Sequence, residues 1–279
     1  MELLGEDRLE MLSEEPDFTQ IANKRSAVLE QDPVDCNDTE QLIILTARRI
    51  VDLVKKNKYK TILAGIGAAH MAAWTAAFFL EEEDIYVKVV SELGFYGVTP
   101  YIGDVFLFSQ LHANTTEQLS DVTQILGTLV PRDCLGVLGS AEVDEAANLN
   151  STMLGNKKFI VGSGGANDIA STADCIVVAK ALKSRFVKNV QFITSPGKNV
   201  KEIVCQFGVF ARDKETDKFI FSRWRPPVSD PDINSKQAIE NYTSWKVPDV
   251  EPKLEKPITP EELGVLRKLD PQKIFISGR

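Results

Sequence analysis

Thr61-Ile62-Leu63-Ala64-Gly65-Ile66-Gly67-Ala68-Ala69 reads as a short apolar strand, a glycine turn and the first residues of a helix that continues through the apolar residues 70–80. Strand, tight turn and helix in that order open a parallel sheet. Upstream, Leu42, Leu45, Ile50, Leu53 and Val54 recur at helical spacing, with Asp38 as candidate N-cap and Lys55 and Lys56 suited to the helix end. Downstream, strands are expected at residues 85–91, 105–108, 135–138, 159–161, 175–178, 190–194, 203–205 and 219–221, and helices at 116–126 and 260–269. The first half alternates strand and helix, whereas the second is strand-rich with short turns. The expected fold is therefore α/β: an open, mostly parallel sheet with flanking helices, plus a strand-rich β portion in the second half. Gly65 and Gly67 lack the third glycine of a dinucleotide fingerprint, so nicotinamide binding is not indicated. His70 and Trp74, one helical turn apart, read as packed helix residues.

The net charge of −8 over 279 residues leaves no basic footprint for nucleic acid. No apolar run approaches the ~20 residues of a membrane span, and the acidic Met1-Glu2-Leu3-Leu4-Gly5-Glu6-Asp7 is unlike a signal peptide, so a cytoplasmic location is expected. Cys36, Cys134, Cys175 and Cys205 form no Cys-x-x-Cys pair, and the two histidines are too few for a zinc site; no metal is expected. Acid–base or covalent chemistry then falls mainly to carboxylates. Residues 1–38 are acidic, interrupted by Pro16 and Pro33, and read as an N-terminal extension to a unit covering 39–279.

Two segments carry candidate chemistry. Glu92 stands at the carboxyl end of the expected strand 85–91, where open α/β sheets bind ligands, and Gly94 lets the chain turn after it. The competing reading is a carboxylate that caps a turn or pairs with a lysine. Gly162-Ser163-Gly164-Gly165-Ala166-Asn167-Asp168 exposes backbone amides in a nest able to hold a phosphate, a carboxylate or a developing oxyanion, with Asn167 or Asp168 capping the next helix. A tight strand-to-helix turn would use the same glycines.

Five ordered segments resemble the B-type chain of class I coenzyme A transferases, of the glutaconate CoA-transferase type: Glu92-Leu93-Gly94; Val143-Asp144 with Asn148-Leu149-Asn150-Ser151-Thr152; Gly162 to Asn167; Lys183-Ser184-Arg185-Phe186; and Thr194-Ser195-Pro196-Gly197. The resemblance runs from about Asp38 to the carboxyl terminus. It implies that Glu92 is a covalent nucleophile toward an acyl-CoA thioester, and that Gly164, Gly165 and Ala166 line the oxyanion and CoA-proximal loop. Gly94, Asn150, Ser151 and Arg185 are further candidate contacts. Asn150 and Ser151 could equally form an Asx or ST turn, and Arg185, suited to a CoA phosphate or a substrate carboxylate, could form a surface ion pair. Also implied are a hetero-oligomer with a CoA-transferase A (alpha) subunit, acyl-CoA and carboxylic acid substrates, and coenzyme A as substrate with no permanently bound cofactor. Relatives of the family point to three other reactions on the same scaffold: a CoA-thioester hydrolase, a ring-opening enzyme or a decarboxylase. A non-catalytic scaffold protein is the reading from another class. Ser140 and Ala147 depart from the family's glycines, so the turn between Asp144 and Asn148 is expected to differ. Phe95, Tyr96 and Tyr101 near Glu92 suit either an aromatic lining or the core.

Overall fold

A computed structural model of the chain describes residues 36–104, 106–155 and 158–277. The extension expected over residues 1–38 falls outside these except for its last three positions. Helix α1 (Asp38–Asn57) is capped by Asn37 rather than by Asp38. The Asn37 side-chain oxygen accepts from the amides of Thr39 and Glu40, and the Glu40 carboxylate accepts from the Asn37 amide at 3.0 Å. That reciprocal box satisfies amides a helix start leaves open, which Asp38, already inside the helix, cannot do. The chain then enters β1 (Thr61–Ala64), buried throughout, and turns through the glycines into α2 (Ala68–Glu81).

The other strands and longer helices, in order, are β2 (Lys88–Val90), β3 (Phe95–Val98), β4 (Thr116–Leu119), β5 (Cys134–Gly139), β6 (Glu142–Val143), β7 (Leu149–Asn150), β8 (Met153–Leu154), β9 (Lys158–Phe159), α3 (Ala166–Thr172), β10 (Asp174–Val178), β11 (Val200–Cys205), β12 (Gly208–Arg212), β13 (Phe219–Trp224), α4 (Ser235–Tyr242), β14 (Lys253–Leu254) and α5 (Pro260–Leu269). Among the described residues ten strands form one sheet in the order β14-β13-β12-β11-β10-β5-β1-β2-β3-β4. The five from β11 to β2 are parallel, and antiparallel strands extend the sheet on both sides. This is the expected α/β architecture, with the β-rich second half supplied by β11 to β13. The chain leaves β1 toward β2 and later returns on its other side as β5, so the strand order reverses at β1. In an open sheet the crevice outside the carboxyl ends is widest there.

Helices α1, α2 and α5 cover one face of the sheet around Ile43, Leu45, Ile50, Met71, Trp74 and Leu266. The other face is filled by α3, α4 and the hairpins, with Ile169, Phe186, Phe207 and Phe210 buried there. His70 and Trp74 are packed helix residues, their rings 5.0 Å apart and edge to face.

Several expected elements differ. Residues 116–126 are not a helix: Thr116–Leu119 pair with β3, the Thr116 hydroxyl donates to the Tyr96 carbonyl at 2.9 Å, and a short helical turn (Val122–Gln124) and a π-helical turn (Ile125–Leu129) follow. Strand pairing overrides the helix propensity of Glu117, Gln118 and Leu119. The strand expected at 105–108 is a turn over its described residues, where the Asp104 side chain accepts from the Phe106 amide. The run 190–194 is irregular, since its end bonds sideways to Leu149, with the Thr194 amide donating to that carbonyl at 2.8 Å. β9 covers Lys158–Phe159 and pairs with β8 outside the main sheet, and β2 begins at Lys88 rather than Ile85.

Candidate active site

β2 delivers Glu92 to the carboxyl edge of the parallel sheet, and the turn that follows is closed without it. Ser91 is the closing residue: its amide donates to the Phe95 carbonyl at 2.9 Å, its carbonyl accepts from the Gly94 amide at 3.1 Å, and its hydroxyl accepts from the Leu93 amide. Gly94 has φ +111°, and a Cβ on it would sit 2.2 Å from the Ser120 carbonyl oxygen. Only glycine fits there. Gly94 thus shapes the turn and anchors it to residue 120, where the Ser120 amide donates to the Gly94 carbonyl at 2.7 Å. With the turn capped by Ser91, the Glu92 side chain is released for another use.

That use is a contact with the glycine-rich loop, 73 positions on. The Gly165 amide donates to Glu92 Oε2 at 2.6 Å. A Cβ at Gly165 would lie 2.3 Å from Oε2, and one at Gly164, which has φ +51°, would lie 3.1 Å from Oε1. The loop is bare of side chains where the carboxylate approaches, so a backbone amide faces it directly. Among the described residues Glu92 has no lysine, arginine or histidine within ion-pair distance, and the Gly164 amide has no protein acceptor. Neither competing reading of Glu92, turn cap or lysine partner, describes its surroundings. The side chain is half-buried, beside the exposed Leu93, and Leu126 packs against the position a Gly165 side chain would take.

The other candidates divide. Ala166 begins α3, but its amide already donates to the Ser163 carbonyl at 3.0 Å, and the helix cap is Gly165 rather than Asn167 or Asp168. Asn150 is buried and spent on local structure: its amide donates to Glu142 Oε2 and the Met153 carbonyl, both at 2.6 Å, and its oxygen accepts from the amides of Thr152 and Met153. It is the Asx-turn reading that its geometry matches. Ser151 braces the glycine loop through its backbone, since its carbonyl accepts from the Val161 and Gly162 amides and its own amide donates to Thr194 Oγ1 at 2.9 Å. Arg185 is half-buried with no ion-pair partner among the described residues, so the expected surface pair is not formed. Burial alone lowers its guanidinium from the ordinary value. Ala147 keeps the left-handed turn of a glycine at φ 64°, held by the Asp144 carboxylate, which accepts from the amides of Ala146 and Asn148. Phe95 and Tyr96 pack against the two cores rather than lining the site.

Ser91 and Leu126 were not among the sequence candidates. A serine directly before Glu92 was a readable signal for a turn cap, whereas Leu126 arrives through a π-helical turn that no local pattern marks. Among the described residues no group of His, Cys, Asp or Glu could hold a metal ion, and no helix is long and apolar enough to cross a membrane. A cavity of about 260 Å³ lies elsewhere, between α2, β2 and β3, lined by Trp74, Phe78, Ile85 and Val98.

The chain is similar to several known proteins across this region. The coenzyme A transferase family model matches residues 85–223, which carry both Glu92 and the glycine loop. The B-type chain of glutaconate CoA-transferase from Acidaminococcus fermentans is 26% identical over 163 residues, covering 51% of this chain and 59% of the relative. The B-type chain of 3-oxoadipate CoA-transferase from Pseudomonas knackmussii is 26% identical over 263 residues, covering 86% of this chain and 95% of the relative. The solved structure of the Acidaminococcus fermentans glutaconate coenzyme A-transferase superposes with a TM-score of 0.76 at 18% identity, over 89% of this chain and 100% of that one. The decarboxylase AibA/AibB has the same fold, with a TM-score of 0.68 at 15% identity, over 86% of this chain and 97% of that one.

Proposed function

We propose, from the match of residues 85–223 to the coenzyme A transferase family model and the similarity to two B-type chains, that this protein is the B-type half of a CoA-transferase that moves CoA from an acyl-CoA to a carboxylic acid through a glutamyl-CoA thioester on Glu92. The observation that carries the reading is the 2.6 Å bond from the Gly165 amide to Glu92 Oε2. The Glu92 carboxylate attacks the thioester carbonyl carbon, the C–S bond breaks, and CoA leaves as thiolate from a mixed anhydride. The thiolate then attacks the Glu92 carbonyl and expels the first acid as carboxylate, and a second carboxylate collects CoA by the reverse steps. Each attack on the Glu92 carbonyl puts negative charge on a Glu92 oxygen. An amide already aimed at that oxygen is worth roughly 3 kcal/mol to such a step. No histidine or metal is required of this chain.

Residues 39–279 form the catalytic unit in this reading and residues 1–38 an extension to it. An A-type chain is the expected partner, since two relatives similar to this chain are named as the B halves of their enzymes. The test is chemical. Incubating the assembled enzyme with acyl-CoA and then borohydride reduces a glutamyl thioester to the alcohol, so the peptide carrying Glu92 changes mass. No adduct, together with full turnover in Glu92→Ala, would overturn the assignment. Hydrolysis by the same route needs only that water reach the acyl intermediate, and the half-buried Glu92 leaves that outcome to be read directly: CoA release that ignores the acceptor acid marks a hydrolase.

A further inference from the structure

Arg185 stands apart from the other arginines. Arg48, Arg49, Arg212, Arg223 and Arg267 each reach a carboxylate, and Arg225 donates to Gln41. Arg132 is exposed. Arg185 is half-buried, and none of the described residues takes a hydrogen bond from its guanidinium. A guanidinium carries five donors in a fixed fork that suits phosphate oxygens, and leaving it partly desolvated and unpaired is costly unless a ligand completes it.

Its sequence surroundings are as unusual. From Cys175 to Lys201 there is no acidic residue in a chain of net charge −8, while Lys180, Lys183, Arg185 and Lys188 fall within nine positions. None of these four has an ion-pair partner among the described residues. The segment leaves the carboxyl end of β10 and folds back over the end of β5, where the Val143 amide donates to the Arg185 carbonyl at 2.8 Å. It therefore runs along the same sheet edge as Glu92. With two to three strand spacings between them, the backbone of Arg185 stands roughly 10–15 Å from the strand that delivers Glu92.

We infer that Arg185, with Lys180 and Lys183, is the subsite that takes the phosphate groups of the coenzyme A nucleotide while the thioester reaches Glu92. The inference rests on the proposed CoA chemistry and adds the end of the molecule that this chain recognises. The separation suits CoA, whose pantetheine arm holds the phosphates far from the sulfur. Phosphates also match a segment that carries four cations within nine positions and no acidic residue better than a single carboxylate does.

The test compares acyl-CoA with the same acyl group on pantetheine, which lacks the nucleotide, in the assembled enzyme. Arg185→Gln is expected to raise KM for acyl-CoA about tenfold or more, the loss of a charge-assisted pair, and to penalise acyl-CoA at least tenfold more than acyl-pantetheine. KM for acyl-CoA should rise with salt in the native enzyme and less steeply in Lys180→Gln/Lys183→Gln. Direct binding of adenosine 3′,5′-bisphosphate by calorimetry should weaken in both variants, a readout that stands whether or not Glu92 forms a thioester. Equal penalties on both thioesters, or a rise in KM for the acceptor acid instead, would overturn the inference and leave the role of Glu92 untouched. So would unchanged nucleotide binding in a folded Arg185→Gln enzyme.

Discussion

Two carboxylates of this protein, Glu92 and Glu202, sit in opposite circumstances. Glu202 lies on β11 under α1, where Arg49 grips it with Nε at 2.8 Å and Nη2 at 2.7 Å, both side chains about nine-tenths buried. Burial works against the Arg49 charge, but the bonds and charge of Glu202, with Asp52 behind, hold the guanidinium above its ordinary value. Glu40, on the same helix as Arg49, repeats the pattern with Arg267 of α5. Glu92 has no such fork: one amide holds one oxygen, at the open edge of the sheet. A carboxylate that serves the fold is neutralised by a cation. In the proposed function Glu92 is instead oriented and kept unpaired, because an ion pair would lower the nucleophilicity that attack on a thioester needs.

The largest expected effect falls on Glu92. Glu92→Ala should lower CoA transfer by roughly three orders of magnitude or more, as loss of a covalent nucleophile does. Its melting temperature should stay near the native one, since no ion pair is broken, and a substantial loss of stability would make Glu92 a structural carboxylate like Glu202. Gly165→Ala comes next. The added methyl would lie 2.3 Å from Oε2, so the carboxylate or the loop must shift and the aimed amide is lost. Removing one such donor costs on the order of 10²–10³ in kcat. A variant with near-native kcat would show that the 2.6 Å bond is not used in catalysis.

Glu202→Gln should reverse the pattern. It leaves the Arg49 charge buried with Asp52 as its remaining partner, and breaking a buried pair costs about 3–5 kcal/mol. The retained Asp52 contact sets the expectation at the lower end, a fall of several degrees in melting temperature. The kcat of the protein that remains folded should be close to native. A variant as stable as the native chain would mean that the fork is replaceable and the contrast with Glu92 is one of position only.

How far the sequence reveals this contrast depends on range. The strand-turn-helix at Thr61–Ala64 and Ala68–Glu81 was legible because its signals are local: an apolar run, two glycines and helical spacing. Glu92 and the Gly164-Gly165 loop were legible as two separate features. Their meeting across 73 residues follows from strand order, which no local pattern carries, and it was reached in the sequence through family resemblance. Residues 116–126 were misread because Glu117, Gln118 and Leu119 favour a helix, while pairing with β3 at the sheet edge decided otherwise. Asn150 looks like a site residue from its motif, yet its side-chain bonds go to the turn it closes and to Glu142 on the paired strand. Arg185 shows the reverse: an arginine followed by a phenylalanine suggests little, and its significance lies in a partner that the described fold does not supply.

The smallest expected effect comes from a third way of treating a buried ionisable group. His112 is fully buried, its ring 5.2 Å from that of Trp74 and its Nε2 3.1 Å from the Phe106 carbonyl, to which the neutral ring donates. It has neither a fork like that of Glu202 nor an open edge like that of Glu92. Burial lowers its pKa from the ordinary 6.5, and the Asp104 charge and the bond to Phe106 oppose that shift only in part. The unfolded chain therefore takes up the proton first as pH falls. The stability that His112 contributes is fully present above about pH 6.5 and is lost progressively below it, until the folded protein also binds the proton. Between about pH 6.5 and 5.5 the loss has a ceiling of about 1 kcal/mol, reached only if the ring stays neutral in the fold throughout. Urea unfolding of the native chain and of His112→Gln at both pH values isolates this residue from every other titrating group. The native chain should lose more stability than the variant over that interval. Equal losses would mean that the ring is protonated as readily in the fold as outside it, and that burial without an ion-pair partner does not keep this group neutral.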